Sequence, residues 1–385
     1  LKSRLLYQEG FITYGQEKAR CRSTYCHEGE SYPLSAPSAM EGAFFHSVFE
    51  VRGYICRMWD WVNALAQQWK TALGYQAPAL GRRTYRGILT LGMGGSAFGA
   101  EVARAWSESR SSLPWVIGRD YRLPGWVDDE VLVIAASYSG TTEETLSAAS
   151  AALRRGCTVV GLASGGTLKA WAEEGRLAGF VELPAGYAPR AAVPFSIGAQ
   201  LAIAEGAELV PASWRLEGEA LLSALSSMPP SHTELQTLAA NWEKRLIAIY
   251  TSEPYASIGL RARQQIQENA KHLAWHHTIP EMNHNEIVGL QHPSLSEQLA
   301  VWLLEGGQSH PRHRVRRAFL ENLLQSRNIP FARLEAPAGL PHLAELLWLL
   351  HAVDIFSLYL AERHQIDPTP VPIIDALKAH LAAQA

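Results

Sequence analysis

Two short polar stretches carry the residue types best suited to holding an anion. Gly92-Met93-Gly94-Gly95-Ser96 follows the apolar run Ile88-Leu89-Thr90-Leu91, and Ser137-Tyr138-Ser139-Gly140-Thr141-Thr142 follows Val131-Leu132-Val133-Ile134-Ala135-Ala136. Such apolar runs read as strands of a parallel sheet buried on both faces, so each polar stretch is a turn from strand to helix. Backbone N–H groups opening the next helix, joined by hydroxyls, make a ready phosphate site. The glycines permit close backbone approach, and Ser96, Ser137, Ser139 and Thr142 supply hydroxyls. A cap needs one hydroxyl, whereas Ser137, Ser139, Thr141 and Thr142 put four within six residues. The expectation is a phosphate pocket formed by Gly94, Gly95, Ser96, Ser137, Ser139 and Thr142. Those turns alone leave open whether the ligand is transformed or only bound.

The elements that must position this pocket repeat a strand–helix rhythm. Strands are predicted near 87–91, 114–117, 131–136, 157–162 and 179–183, with helical patterns at Phe98–Ser107 and Glu143–Arg155 between them. Glu143 and Glu144 in the first turn and Arg154 and Arg155 at the end suit the helix dipole. A connection near Pro211–Pro230 leads to further strands at 246–250, 299–304 and 329–334, a rhythm read as lacking Gly/Ser-rich turns. A long apolar helix runs from Leu343 to about Leu360, the Asp367-Pro368-Thr369-Pro370 turn follows, and a last helix ends near Lys378. Ahead of the first strand, Val48, Ile55, Trp59, Val62, Leu65 and Trp69 recur at helical spacing from Phe44 to about Leu73. The fold class is therefore α/β, with two doubly wound parallel-sheet domains of flavodoxin-like type in tandem and helical N- and C-terminal extensions. Residues 1–40, of mixed charge and no sustained period, read as a tail or a mis-assigned start, followed by a first domain over 41–215 and a second over 216–385.

Whole-chain properties narrow the partners. The chain has 385 residues, 47% apolar and 18% charged, which describes globular domains with large interiors and argues against disorder. A formal net charge of −3 without a long basic block sets nucleic acid aside. No run of twenty apolar residues or signal-peptide pattern stands out, so a cytoplasmic protein without membrane contact is expected. Cys21, Cys26, Cys56 and Cys157 form no pair of pairs, and no His, Cys, Asp or Glu cluster has metal-ligand spacing, so neither metal nor cofactor is expected.

With Met93-Gly94-Gly95-Ser96-Ala97 and Ser137 to Glu143 in place, the sequence resembles the sugar isomerase (SIS) domain, and within it the bifunctional phosphoglucose/phosphomannose isomerases. Pro189-Arg190-Ala191-Ala192, Glu268-Asn269-Ala270-Lys271, Asn283-His284-Asn285-Glu286 and Asp367-Pro368-Thr369-Pro370-Val371 extend the likeness from about residue 45 to the end. That resemblance implies a metal-free isomerase joining glucose 6-phosphate, and mannose 6-phosphate, to fructose 6-phosphate through an enediolate. Such chemistry needs a base to move a proton between neighbouring carbons and an electropositive group to steady the intermediate. Glu268 is implied as the base, although by position alone a helical carboxylate reads as a solvated-face residue. Arg190, beside the Gly95 backbone, is implied to hold the enediolate. His284 is implied to open the sugar ring, reaching the site from the second subunit of a homodimer. Lys378 is implied to fold back onto the site, and Thr369 to bear on acceptance of the mannose epimer, although the Asp367-Pro368 turn offers it an equal role as a helix cap.

Two rival readings follow from the same residues. A phosphosugar sensor would use the pocket without Glu268 and His284, but regulators of that kind carry a DNA-reading domain, and no basic helix pair is apparent. A nicotinamide-dependent oxidoreductase would need an acid ending the second strand. There Val116-Ile117-Gly118 leads to Arg119-Asp120, and the glycines at 92, 94, 95 and 99 lack the dinucleotide spacing.

Overall fold

A computed structural model describes residues 10–14, 17–21, 57–81 and 83–384. Val48, Ile55, Cys26 and Cys56 lie outside the described residues, as does most of the expected tail. Within that tail, β1 (Gly10–Tyr14) pairs antiparallel with β2 (Glu17–Cys21).

The first domain is a five-stranded parallel sheet in the order β4-β3-β5-β6-β7, formed by β3 (Gly87–Leu91), β4 (Trp115–Gly118), β5 (Val131–Ala136), β6 (Thr158–Ala163) and β7 (Gly179–Glu182). All five expected strands are present, each within a residue or so of its predicted bounds. The second domain holds four parallel strands in the order β11-β10-β8-β9: β8 (Leu246–Ser252), β9 (Ala274–Ile279), β10 (Leu299–Glu305) and β11 (Phe331–Glu335). Strand β9 was not anticipated. Its Trp-His-His-Thr centre is too polar to read as a buried run, but His276 meets Thr251 and His277 meets Glu286, so tertiary partners satisfy what the local pattern cannot. In both sheets the chain reverses direction next to its first strand, between β3 and β5 and between β8 and β10. These are the switch points where open α/β sheets present their crevices.

Helix α1 (Leu65–Leu73) precedes the first sheet, and α2 (Gly94–Ser107), α3 (Glu143–Arg154) and α4 (Gly166–Glu173) connect its strands. Helices α5 (Val193–Gly206), α6 (Ser213–Ser227) and α7 (His232–Trp242) lead to the second sheet, and α8 (Ala256–Ala270) connects β8 to β9. The short α9 (Glu286–Gly289) and α10 (Leu295–Gln298) precede β10, and α11 (Pro311–Ser326), α12 (His342–Arg363) and α13 (Pro372–Ala382) complete the chain. One hydrophobic core is shared by both domains. Ile88, Leu132, Ile134 and Leu162 enter it from the first sheet, and Ile247, Ile249, Trp302 and Leu304 from the second. The alternate residues Leu89, Val131 and Val133 face a separate core on the outer side of the first sheet, and Ala248, Tyr250 and Val301 one on the outer side of the second. This period of two inside uniformly apolar strands is why both faces need covering.

Helix α12 runs through the shared core against α6, α7 and α8. It is long and apolar enough to cross a membrane, yet 89% of its apolar window is buried inside the protein. A helix surrounded by other helices needs no polar face, which accounts for its composition. Of the expected N-terminal helical stripe, Val62, Leu65 and Trp69 are buried in the same core.

Candidate active site

The first switch point brings the two polar turns together. A side chain at Gly92 would overlap the Ala136 carbonyl at 2.8 Å, so the turns pack backbone to backbone. The Tyr138 N–H donates to Ser96 Oγ at 3.0 Å, joining one turn to the other. Ser137 Oγ lies 2.7 Å from Thr142 Oγ1, and Ser139 Oγ 2.9 Å from Thr141 Oγ1. Neither α2 nor α3 has a side chain capping its first turn, since Met93 and Thr142 hold the cap positions in extended conformation without a capping bond. The hydroxyls therefore face one another instead of closing the helices, and two uncapped helix starts point at the same crevice.

A third turn supports the second. Gly140 adopts φ +71°, and a Cβ there would fall 1.9 Å from the Gly165 carbonyl oxygen. The Ser164 N–H donates to the Tyr138 carbonyl at 2.8 Å, and the Leu168 N–H to that of Gly140 at 3.1 Å. Gly165 and Gly166 thus fix the hydroxyl loop from behind.

The same loop reaches the segment that carries Arg190. Tyr138 Oη donates to the Pro184 carbonyl at 2.9 Å and accepts from the Tyr187 N–H at 3.0 Å. Gly95 lies so close to this segment that a Cβ would sit 2.7 Å from the Pro189 carbonyl oxygen. Arg190, 4% exposed on a short 3-10 turn, is thereby set beside the start of α2.

Arg190 gathers the remaining groups. Its Nε donates to Asn269 Oδ1 at 2.8 Å, and its Nη2 to the carbonyls of Pro368 at 2.5 Å and Thr369 at 3.0 Å. Its Nη1 faces Glu268 Oε2 at 3.6 Å. Glu268 occupies the last turn of α8, which ends where Lys271 turns left-handed at φ 51°. An acid there receives no help from the helix dipole, and the guanidinium supplies the compensating charge. Burial pushes the Arg190 guanidinium down from its usual range, opposed by Glu268.

Behind Arg190 stands a buried frame. Arg261 Nε and Nη2 donate to the two Asp354 oxygens at 2.8 and 2.7 Å, and Nη2 also donates to the Arg190 carbonyl at 2.8 Å. Asn269 Nδ2 donates to Ser357 Oγ at 2.9 Å. Helix α12, through Asp354 and Ser357, thus holds both the backbone and the head group of Arg190. Lys271 Nζ donates to the carbonyls of Glu268, Asp367 and Pro368 at 2.7, 3.2 and 3.3 Å, and burial with Arg190 nearby lowers its ammonium to about 8.

The chain is 34% identical over 306 residues to the bifunctional phosphoglucose/phosphomannose isomerase of Caldicellulosiruptor bescii, an alignment covering 77% of this chain and 89% of that protein. It belongs to the bifunctional phosphoglucose/phosphomannose isomerase family. The Aquifex aeolicus protein of the same description is 33% identical over 304 residues, covering 78% of this chain and 92% of that one. Within the family's span, residues 231–381 match the bacterial phospho-glucose isomerase C-terminal SIS domain. The tagatose-6-phosphate ketose/aldose isomerase structure from Escherichia coli superposes with a TM-score of 0.63 at 15% identity, over 82% of this chain and 95% of that one, a likeness of fold.

Two family-implied residues lie away from the Arg190–Glu268 pair in the single chain. His284 is exposed on a 3-10 turn, and the Met282 and Leu290 beside it pack on the outer face of the second sheet with Ala248 and Tyr250. Helix α8 packs on the inner face through Ile258, Ala262 and Ile266. The second sheet therefore stands between the helix that carries Glu268 and the loop that carries His284. Lys378 lies on α13 with its side chain 72% exposed, 3.8 Å from Asp375, and is not drawn in among the Arg190 contacts.

The Asp367-Pro368-Thr369-Pro370 turn, in contrast, is at the site. Asp367 Oδ1 accepts from the Thr369 N–H at 2.8 Å, while Val371 holds the cap position of α13, so Thr369 is not the helix cap. Residue-by-residue reading missed Asn269, Lys271 and Glu286 as contributors, although all three stand inside the family motifs. Glu286 accepts from Tyr250 Oη and Trp275 Nε1 at 2.7 and 2.6 Å and pairs with His277 Nδ1 at 2.7 Å, which anchors the His284 loop. Asp120, the residue behind the nicotinamide reading, accepts from the neighbouring Tyr121 N–H. Among the described residues no group of three or more His, Cys, Asp or Glu is placed to hold a metal.

Proposed function

We propose that this chain interconverts glucose 6-phosphate and mannose 6-phosphate with fructose 6-phosphate through an enediolate, with no metal taking part. The observation that carries this reading is the meeting of Glu268 with Arg190 at 3.6 Å beside the hydroxyl-lined switch point. The phosphate is seated by the turns at Gly94, Gly95, Ser96, Ser137, Ser139 and Thr142. Glu268 removes the C2 proton of the open-chain aldose and returns it to C1, while the hydroxyl proton passes between O2 and O1. Arg190 steadies the oxyanion that forms on the way, from a buried position that needs no reorganisation. Glucose and mannose differ only at C2, which is planar in the enediolate, so one base serves both epimers when reprotonation can occur on either face of that carbon. Thr369, whose backbone carbonyl accepts from Arg190, is the residue assigned in this scheme to bear on that choice.

His284 opens the ring in this scheme, and the sheet between it and Glu268 favours its delivery by a second copy of the chain in a homodimer. Lys378, exposed in the single chain, is assigned no step. The proposed setting is the cytoplasm. Purified protein should form fructose 6-phosphate from both aldose phosphates, with and without a chelator, and Glu268→Gln should bind fructose 6-phosphate yet lose about a thousandfold or more of kcat. A fully active Glu268→Gln variant would remove the mechanism, and binding by the native chain without conversion would favour the sensor reading.

A further inference from the structure

The second domain repeats the topology of the first, so it possesses its own switch point. Strand β8 takes the place of β3, β10 that of β5, and β11, followed by α12, that of β6 followed by α4. Contrary to the expectation from sequence, this crevice also has a Gly/Ser turn, Gly306-Gly307-Gln308-Ser309, directly after β10. Opposite it, Ser252 ends β8, and its hydroxyl lies 2.6 Å from that of Ser309 with both side chains buried. Small residues, hydroxyls and a backbone turn at the carboxyl ends of parallel strands are the ingredients of an anion cradle.

This cradle is filled from within. Glu345, in the first turn of α12 and 1% exposed, accepts the Gly307 N–H on Oε1 at 2.7 Å. Its Oε2 accepts from Tyr255 Oη, whose oxygen in turn accepts the Gln308 N–H at 3.0 Å. A Cβ at Gly306 would fall 2.3 Å from Tyr255 Oη, so the loop is moulded to this arrangement. The neighbouring acid Glu305 is paired with Arg317, and it is the Glu345 carboxyl group that faces the turn. In the first domain the equivalent helix α4 sends no acid forward: Gly165 and Gly166 meet the hydroxyl loop with backbone alone.

We infer that Glu345 is a built-in substitute for a ligand anion at the second switch point, so that a chain with two anion cradles binds one phosphosugar. The count of one rests on the phosphate reading of the first-domain turns, whereas the role of Glu345 does not. Removing the carboxylate should turn the second switch point into a site for inorganic phosphate.

The test uses the full chain, with Ser139→Asp placing a fixed negative charge in the first pocket. Melting temperatures are compared in inorganic phosphate and in sodium chloride of equal ionic strength. Ser139→Asp alone should show no phosphate-specific rise, whereas Ser139→Asp with Glu345→Ala should gain one of about 2–4 °C. Glu345→Gln, which keeps the acceptor and the volume, should fold without that gain. A Glu345→Ala protein that folds without a phosphate-specific rise, or that stays unfolded in phosphate, overturns the inference. Retention of turnover and of the phosphate response by Ser139→Asp alone would instead overturn the first-pocket reading, with the increment due to Glu345→Ala still measurable. Calorimetric titration of the native chain with fructose 6-phosphate should count one site per chain, and two would overturn the inference.

Discussion

Arg190 and Glu268 come from different domains and face each other at 3.6 Å, the guanidinium almost wholly buried and the carboxylate 30% exposed. The contact needs Gly95 to admit the Pro189 backbone and α8 to end at Lys271. Replacing Arg190 by Lys keeps a positive charge but cannot reproduce a fork that serves Asn269, Pro368 and Thr369 together. We expect kcat to fall by about a hundredfold or more with a smaller change in KM, read from steady-state rates on both aldose phosphates. Unchanged kcat would separate Arg190 from the enediolate.

Gly140→Ala tests the phosphate turn through its backbone. The φ of +71° disfavours a side chain, and the added methyl would overlap the Gly165 carbonyl at 1.9 Å. The left-handed conformation costs about 1–2 kcal/mol, and the overlap adds to it by displacing Ser139 and Thr141. KM for fructose 6-phosphate should rise about tenfold or more while kcat changes less, with a lowered melting temperature. An unaltered KM would detach this loop from substrate binding.

A mixing experiment tests the shared site. Glu268→Gln and His284→Ala should each be inactive alone. If each site takes Glu268 from one subunit and His284 from its partner, a mixed dimer contains one intact site and one doubly damaged site. Equal mixing after dissociation and reassembly should restore about a quarter of native turnover, since half the dimers are mixed and half of their sites are whole. No recovery from a mixture shown to exchange subunits would place both residues on one chain.

Glu362 gives a prediction about pH and stability. Burial raises its carboxyl to about 7, while the Trp59 Nε1–H donor at 2.7 Å opposes the shift. A raised folded-state value means that the stability contribution is fully present below the unfolded value near 4.5 and is lost as pH climbs through 7. Glu362→Gln, which can still accept from Trp59, should therefore match the native protein at pH 4.5 and exceed it by about 1–2 kcal/mol at pH 8, allowing for the partly exposed carboxylate. Urea midpoints at the two pH values decide it. A constant difference across the range would show that Glu362 does not titrate there.

Much of this protein was legible along the chain. The apolar runs at 88–91 and 131–136 and the hydroxyl-rich turns behind them are local patterns, and a strand buried on both faces leaves little choice about where its polar turn must lie. The motifs containing Arg190, Glu268 and Asp367 pointed to one site, and the fold brings all three together. What the chain order could not convey was which distant groups would satisfy one another. Strand β9 was hidden because His276 and His277 look exposed until Thr251 and Glu286 meet them. The Gly306–Ser309 turn was overlooked because the acid that fills it arrives from α12. Lys378 and His284 read as neighbours of Glu268 only by family likeness, whereas the single chain leaves the first exposed on α13 and sets the second beyond a sheet. Sequence by itself determined the strands of the two parallel sheets other than β9, the two hydroxyl-rich turns of the first domain and the chemical types in the site motifs, because these follow from periodicity and backbone freedom within a few residues. Only the tertiary structure decided that Arg190 would face Glu268 and that Glu345 would close the second crevice, because those contacts depend on sheet order and on one buried helix packed between two domains.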